Sequence, residues 1–169
     1  MRMKIVFLMI GTSLATVLCI TVLWTHTLLA ESEEQLADYR TQLQHDVDVS
    51  LKNETEIVVS MIDKIYQSQQ AGELTEPQAK KLAADVVRDL RYDDGKGYFW
   101  IDTEEGVNVV LLGRDVEGKS RIDLVDPNGV HFIQEMLKNG RQPGGGYTDL
   151  SFAKPGETTP LPKRNYTTT

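Results

Sequence analysis

Cysteine is almost absent. Cys19 is the only one in 169 residues, so no internal disulfide can form and no cysteine-rich zinc or iron–sulfur site can be assembled. Histidine is nearly as scarce: His26, His45 and His131 stand far apart, with no HExxH and no paired metal spacing. Basic residues are the minority, 18 against 25 acids for a net charge of −7. That balance argues against general nucleic-acid binding, because phosphate contacts need clustered Lys and Arg. The paired acids Asp93-Asp94 and Glu104-Glu105 fall in turns, where solvated charge is the ordinary explanation. Gly144-Gly145-Gly146 has no Lys-Ser/Thr after it and precedes a strand, so it is not a phosphate loop. No catalytic residue, metal or cofactor is expected. The length suits one ordinary domain and little more.

Charge is missing from Ile5 to Ala30, and every one of the 25 acids lies beyond it. The run from Ile5 to Trp24 matches the ~20 apolar residues that a helix needs to cross ~30 Å of hydrocarbon. Thr12, Ser13, Thr16 and Thr21 can return their hydroxyls to helix carbonyls. Trp24 stands where an interfacial aromatic belongs, and Arg2 and Lys4 would stay on the cytoplasmic side. The alternative is a cleaved signal peptide, whose apolar core is usually ~7–15 residues. Leu28-Leu29-Ala30 is a poor cleavage site, and bulky Leu18 makes Cys19 a poor lipoprotein site. The favoured division is therefore a cytoplasmic N-terminus at 1–4, an uncleaved transmembrane helix at 5–27 and the remainder outside. Cys19 reads as a small apolar residue facing lipid or a neighbouring helix.

Proline and glycine are missing between Gly11 and Gly72, so the helix can continue outward through residues 28–70. Leu36, Tyr39, Leu43, Val47, Leu51, Val58, Met61, Ile62 and Ile65 recur at mostly three- and four-residue steps, an apolar stripe. Residues 31–70 as one helix would reach about 60 Å, too long for a small core to cover. Its first half is expected to pair with a copy of itself, giving a parallel homodimer through residues 31–55.

Ala71-Gly72 ends that helix, and Thr75-Glu76-Pro77-Gln78 starts another, with Thr as N-cap and Gln in the capping-box position. Leu82, Val86 and Leu90 fall on one face of it. Then the period becomes extended. Tyr98 to Asp102 reads as a strand, Thr103 to Gly106 as a hairpin turn and Val107 to Leu112 as a second strand. Asp126 with Pro127 predicts a short helix start. Phe132, Ile133, Met136 and Leu137 are its buried face and Gly140 its stop. Tyr147 to Ala153 reads as a third strand, Lys154-Pro155-Gly156 as a turn, and Pro162 to Thr169 as a fourth strand. The order predicts an α+β domain with helices on an antiparallel sheet.

Five segments follow one another in a distinctive order: Gly97-Tyr98-Phe99-Trp100-Ile101, Leu111 to Lys119, Asp126-Pro127-Asn128-Gly129, Gly144 to Asp149, and Lys154 to Thr158. In this the chain resembles the single Cache (sCache_2-like) sensor domain of bacterial methyl-accepting chemotaxis proteins, over roughly residues 36–169. The resemblance implies a Cache/PAS-like antiparallel sheet with flanking helices. It also implies a single-pass protein of the bacterial inner membrane with its sensor outside. In the family the sheet continues with another strand or two, then a second membrane helix, a HAMP linker and a cytoplasmic signalling coiled coil. The sheet is thus expected to be incomplete at its C-terminal side. Many relatives carry a His-Pro pair after the second strand. Leu112-Gly113 stands there instead, so no His-dependent contact is expected.

Basic residues gather around the expected sheet: Arg114, Lys119, Arg121, Lys163 and Arg164. Aromatics lie near them in sequence: Tyr98, Trp100, Tyr147 and Tyr166. An Arg fork reads a carboxylate, and an aromatic wall excludes water and strengthens the pair. Taken singly, Arg114, Arg121 and Lys163 read as surface salt-bridge partners, and Trp100 reads equally as core or pocket lining. As a set they favour a small anion, and the resemblance implies a short carboxylate. The input domain of a sensor histidine kinase or of a cyclic-dinucleotide cyclase is the alternative, as is an anchored scaffold or adhesion protein that senses nothing.

Overall fold

Helix α1 runs Arg2–Gln70 in the computed structural model, as the lack of Pro and the single Gly11 allow. It ends in a glycine cap. Gly72 sits at φ 78, the Gly72 N–H donates to the Gln69 carbonyl and the Glu73 N–H to the Ser68 carbonyl, each at 3.0 Å. The structure describes residues 2–153 and 157–169, and the side chains of residues 2, 3, 5–8, 10, 12 and 15 lie outside that description. The expected turn at Lys154-Pro155-Gly156 also lies outside it. Two compact units divide the chain, Met1–Val47 and Asp48–Thr169.

In the first unit Leu14, Val17, Leu18, Ile20, Leu23 and Trp24 are exposed, and so are Leu36, Tyr39, Leu43 and Val47 of the stripe. Thr16 and Thr21 donate their hydroxyls to the carbonyls of Ser13 and Val17, each at 2.8 Å. Among the described residues no helix is long and apolar enough to cross a membrane. The run from Ile5 to Trp24 includes residues 5–8, 10, 12 and 15, whose side chains lie outside the described residues.

Among the described residues the second unit holds the rest of α1, helix α2 (Glu76–Asp89), helix α3 (Phe132–Gly140) and six strands. Strands β1 (Arg91–Tyr92) and β2 (Gly97–Tyr98) pair antiparallel, as do β3 (Ile101–Asp102) with β4 (Asn108–Val110) and β5 (Gly146–Ala153) with β6 (Pro160–Thr167). Helix α2 starts as the capping motif predicts, with the Thr75 N–H donating to Gln78 Oε1 at 2.9 Å.

Three expectations need correction. Residues 98–102 do not form one strand: Phe99 and Trp100 leave the ladder because their rings pack into two different clusters. The next strand stops at Val110, because Leu112 adopts φ 59 and Gly113 φ 69 and the chain turns there. The helix placed at Asp126 begins at Phe132. Asp126 instead folds a loop, its Oδ1 accepting the N–H groups of Asn128 at 2.8 Å and Val130 at 2.9 Å, and its Oδ2 that of Ser151 at 2.8 Å. The buried face of α2 carries Ala79 and Val87, while Leu82 is exposed.

Two clusters form the core. Phe132, Ile133 and Met136 of α3 pack with Leu150, and Trp100, Ile122 and Phe152 lie against them. Val58 of α1 packs with Val87 of α2 and Val110 of β4, with Ile62, Leu90, Phe99 and Ile101 around them. Burial of such side chains stabilises by about 1.5–3 kcal/mol each.

Candidate functional site

The β5–β6 ladder sorts the candidate residues by face. Tyr147 pairs with Tyr166, Asp149 with Arg164 and Leu150 with Lys163. Side chains alternate along a strand, so Lys163 shares a face with Leu150 and Phe152, while Arg164 and Tyr166 share the other with Tyr147 and Asp149.

Lys163 Nζ lies 4.8 Å from the Tyr98 ring centroid and 5.6 Å from that of Phe152. It donates to Tyr98 Oη at 3.0 Å. No carboxylate stands within ion-pair distance of Lys163 among the described residues. Tyr98 is buried, and its ring lies 5.8 Å from that of Trp100.

Arg164 is held on the opposite face. Its Nε and Nη2 donate to the two oxygens of Asp48 at 2.5 and 3.0 Å, and its Nη1 reaches both oxygens of Asp149 at 2.9 Å. The guanidinium stacks 4.9 Å from the Tyr147 ring centroid. The bond to Asp48 dominates in raising the Arg164 pKa, with burial opposing and Asp149 adding to the rise. Tyr147 donates its hydroxyl to the Asp48 carbonyl at 2.9 Å. Burial, then the Asp48 charge, pushes the Tyr147 phenol up.

Arg121 is 3 % exposed. It pairs with Asp102 and stands 5.8 Å from the Trp100 ring centroid. Asn108 Nδ2 also donates to Asp102 Oδ1 at 2.9 Å, whereas the buried Asn108 Oδ1 has no partner among the described residues. The loop after β4 is organised by Glu117, whose Oε1 accepts the N–H groups of Leu111 at 2.7 Å and Gly113 at 2.8 Å. Arg88 donates to its Oε2 at 3.1 Å. Burial pushes the Glu117 carboxyl up, but the Leu111 amide, Arg88 and the Gly113 amide together hold it below its ordinary value.

A cavity of about 90 Å³ lies between α1, the aromatic segment and the end of β6. Its lining includes Leu51 and Thr55 of α1, Tyr92, Tyr98 and Trp100, and Tyr166. By a measure of ~10–15 Å³ per water, it has room for roughly half a dozen water-sized bodies.

The eight candidates thus separate. Tyr98, Trp100, Arg121 and Lys163 form one connected group. Tyr147 and Arg164 join it through Tyr166, whose ring lies 5.1 Å from that of Tyr147 and which lines the same cavity. Arg114 and Lys119 stand apart, and among the described residues neither side chain is bonded to the other six. Asp48, Leu51, Thr55 and Asp102 were not foreseen as part of the site. Asp102 closes the aromatic segment, and Asp48, Leu51 and Thr55 fall at i, i+3 and i+7 on one helix face, so spacing alone could have grouped them. Among the described residues no group of three His, Cys, Asp or Glu side chains is placed to hold a metal ion.

Residues 43–169 match the family described as Single Cache domain 2. Among curated proteins, the chain is 32% identical over 98 residues to the methyl-accepting chemotaxis protein McpP of Pseudomonas putida, covering 57% of this chain and 18% of that protein. It is 27% identical over 157 residues to the sensor histidine kinase MctS of Rhizobium johnstonii, covering 92% of this chain and 33% of that one. It therefore spans a third or less of these relatives. Among solved structures, the periplasmic sensor domain of a chemotaxis protein superposes with a TM-score of 0.68 at 28% identity, over 72% of this chain and 84% of that one. A methyl-accepting chemotaxis protein from Vibrio parahaemolyticus does so with a TM-score of 0.68 at 26% identity, over 78% and 85%. A Cache chemosensory domain solved for carboxylic acid recognition shares the fold, with a TM-score of 0.69 at 23% identity, over 74% and 85%. The aromatic segment, the helix-backed strand pair and these matches lead to one conclusion: the chain belongs to the Single Cache domain 2 family, and residues 43–169 are its sensor domain.

Proposed function

We propose that this chain is the extracytoplasmic, ligand-sensing region of a membrane-anchored chemoreceptor, and that its sensor domain binds a short carboxylate. The ligand class is carried by Lys163. Its ammonium rests on two rings, bonds the Tyr98 hydroxyl and faces no carboxylate among the described residues. A carboxylate supplies the absent countercharge, and the aromatic surroundings strengthen that pair by excluding water. Tyr98, which Lys163 bonds, also lines the cavity of about 90 Å³. A structural neighbour with this fold, a Cache chemosensory domain solved for carboxylic acid recognition, supports the reading.

The uncharged run from Ile5 to Trp24, with Arg2 and Lys4 before it, supports an uncleaved anchor with the sensor outside. Exposed Leu36, Tyr39, Leu43 and Val47 support a parallel homodimer through residues 31–55. Output to a chemotaxis signalling coiled coil is the first reading. A histidine kinase output is the second, favoured by the match to MctS over most of this chain; the reading frame after Thr169 separates them.

Thermal shift and calorimetry with acetate, propionate and pyruvate test the ligand class. At least one acid should stabilise the protein. Lys163→Met should weaken its binding about 10–100-fold, the worth of one charge-assisted hydrogen bond. Indifference to all three acids overturns the carboxylate reading.

A further inference from the structure

Asparagine is followed by glycine twice in the chain, at Asn128-Gly129 and at Asn139-Gly140. Glycine has no side chain to keep its backbone nitrogen away from the preceding amide, so in this pair that nitrogen reaches the asparagine Cγ most readily. Asparagine is itself among the heat-labile residues. The fold treats the two pairs differently.

Asn139-Gly140 closes helix α3, where each backbone N–H is committed to the carbonyl four residues earlier. Gly140 is buried, and a Cβ there would lie 2.9 Å from Thr167 Cγ2, so β6 leaves it no room to turn. Asn139 Nδ2 donates to the Tyr147 carbonyl at 2.8 Å and to Thr148 Oγ1 at 2.9 Å, both on β5. Its amide is engaged in holding helix to strand.

Asn128-Gly129 stands on an exposed turn. Nothing lies within 4 Å of the place a Gly129 Cβ would take, so no neighbour blocks rotation of this peptide. The Gly129 N–H donates to the Asp126 carbonyl at 3.0 Å and Asn128 Nδ2 to Ser151 Oγ at 2.9 Å. Such bonds are weak in net terms when water competes for both partners, and exposed turns open locally at little cost.

We propose that Asn128 is a site of spontaneous deamidation in the folded protein, while Asn139 is protected. When the turn opens, the Gly129 nitrogen bonds to Asn128 Cγ and gives up its proton. The Cγ–Nδ2 bond breaks, the nitrogen leaves as ammonia, and a cyclic imide remains. Water opens the ring at either carbonyl, leaving aspartate or its β-linked isomer at position 128. Nothing is oxidised or reduced. Asn128 Nδ2 lies 3.4 Å from Asp126 Oδ2, so the aspartate product sets a negative oxygen against a carboxylate where a donor stood. Asp126 ties the turn to β5 through the Ser151 N–H, and to Val130, which packs on the α3 cluster. Like charges at that spacing repel, so the modification loosens the turn from β5.

The full chain, held folded in warm neutral buffer and sampled over weeks, is then cut after glutamate. Fragments 118–135 and 136–157 each carry one of the two pairs and are weighed separately. The first should gain the mass of an amide turned acid several-fold sooner than the second. In urea, where folding plays no part, the two should convert at similar rates, and Gly129→Ala should slow the first fragment alone. Conversion of Asn139 in the folded protein as fast as that of Asn128 overturns the proposal. So does a folded protein in which neither converts while the unfolded chain does, and so does an unaltered rate in Gly129→Ala. The consequence is read on Asn128→Asp, whose urea midpoint should fall below that of Asn128→Ser, which lacks both amide and charge. Equal midpoints overturn the loosening.

Discussion

Arg121 and Asp102 form a buried bidentate ion pair, Nε to Oδ1 at 3.2 Å and Nη2 to Oδ2 at 2.5 Å, with 3% and 8% of their side chains exposed. The sequence offers Arg121 as a ligand contact or a surface salt-bridge partner. The structure buries it with its charge already met, and its guanidinium braces Trp100. Removing one partner of a buried pair leaves the other uncompensated, so Arg121→Ala should destabilise by about 3–5 kcal/mol. The double variant Arg121→Met/Asp102→Leu should lose much less. Urea denaturation of the three proteins checks this; equal losses for the single and double variants would falsify it.

Gly145 sits at φ 72, and a Cβ built there would lie 2.5 Å from the Thr167 carbonyl oxygen and 2.6 Å from Tyr166 Oη. Tyr166 donates that hydroxyl to the Gly144 carbonyl at 2.5 Å. Gly145→Ala should therefore cost about 1–2 kcal/mol from the backbone conformation alone, and more from displacing Tyr166. The thermal midpoint should fall well beyond that of Gly118→Ala, where φ is 82 and no atom lies within 4 Å.

Acid should destabilise the sensor through identified groups. Glu117 is held below its ordinary pKa, burial being outweighed by the Leu111 amide, Arg88 and the Gly113 amide. Asp126 is held low chiefly by the Val130 amide, with the Ser151 and Asn128 amides helping against burial. A lowered folded-state value means the stabilisation is whole above the unfolded carboxylate range of about 3.9–4.3. It is lost as pH falls below that range through the folded values. The urea midpoint should hold down to about pH 4.3 and then drop. Glu117→Gln should show a smaller drop, and an unchanged acid limb in that variant would remove Glu117 from the account.

Parallel pairing of the stripe predicts a cross-link. A cysteine at Leu43, with Cys19 replaced by Ser, should form disulfide-linked dimers in membranes. Absence of cross-linking at each of positions 36, 39, 43 and 47 counts decisively against the homodimer.

Much of the fold was legible because it rests on local chemistry. The Thr75-to-Gln78 cap, the Gly72 stop and the apolar face of α3 all act within a few residues. What was illegible depends on distant partners. Asp126 reads as an N-cap, but Ser151, 25 residues on, helps turn it into a loop organiser. Phe99 and Trp100 read as continuous strand, yet two separate clusters pull their rings apart. Within the site, alternation separates Lys163 from Arg164, but the sequence could not say which cation already had carboxylates. Asp48 lies 116 residues away from Arg164.

That separation orders the assembly of the chain in time. Val58 meets Val87 after a short stretch of synthesis, so the middle of α1 can dock early. Asp48 must wait for Arg164, which follows by roughly 6–23 s at ribosomal rates of ~5–20 residues per second. Over that interval Leu51 and Thr55 have the aromatic segment from Tyr92 to Trp100 beside them but not β6, and contacts of long sequence separation are the slow ones to form. Within the stretch from Asp48 to Gln70, the segment around Asp48 is therefore expected to dock last. It is the segment on which chaperones and proteases at the site of synthesis have longest to act.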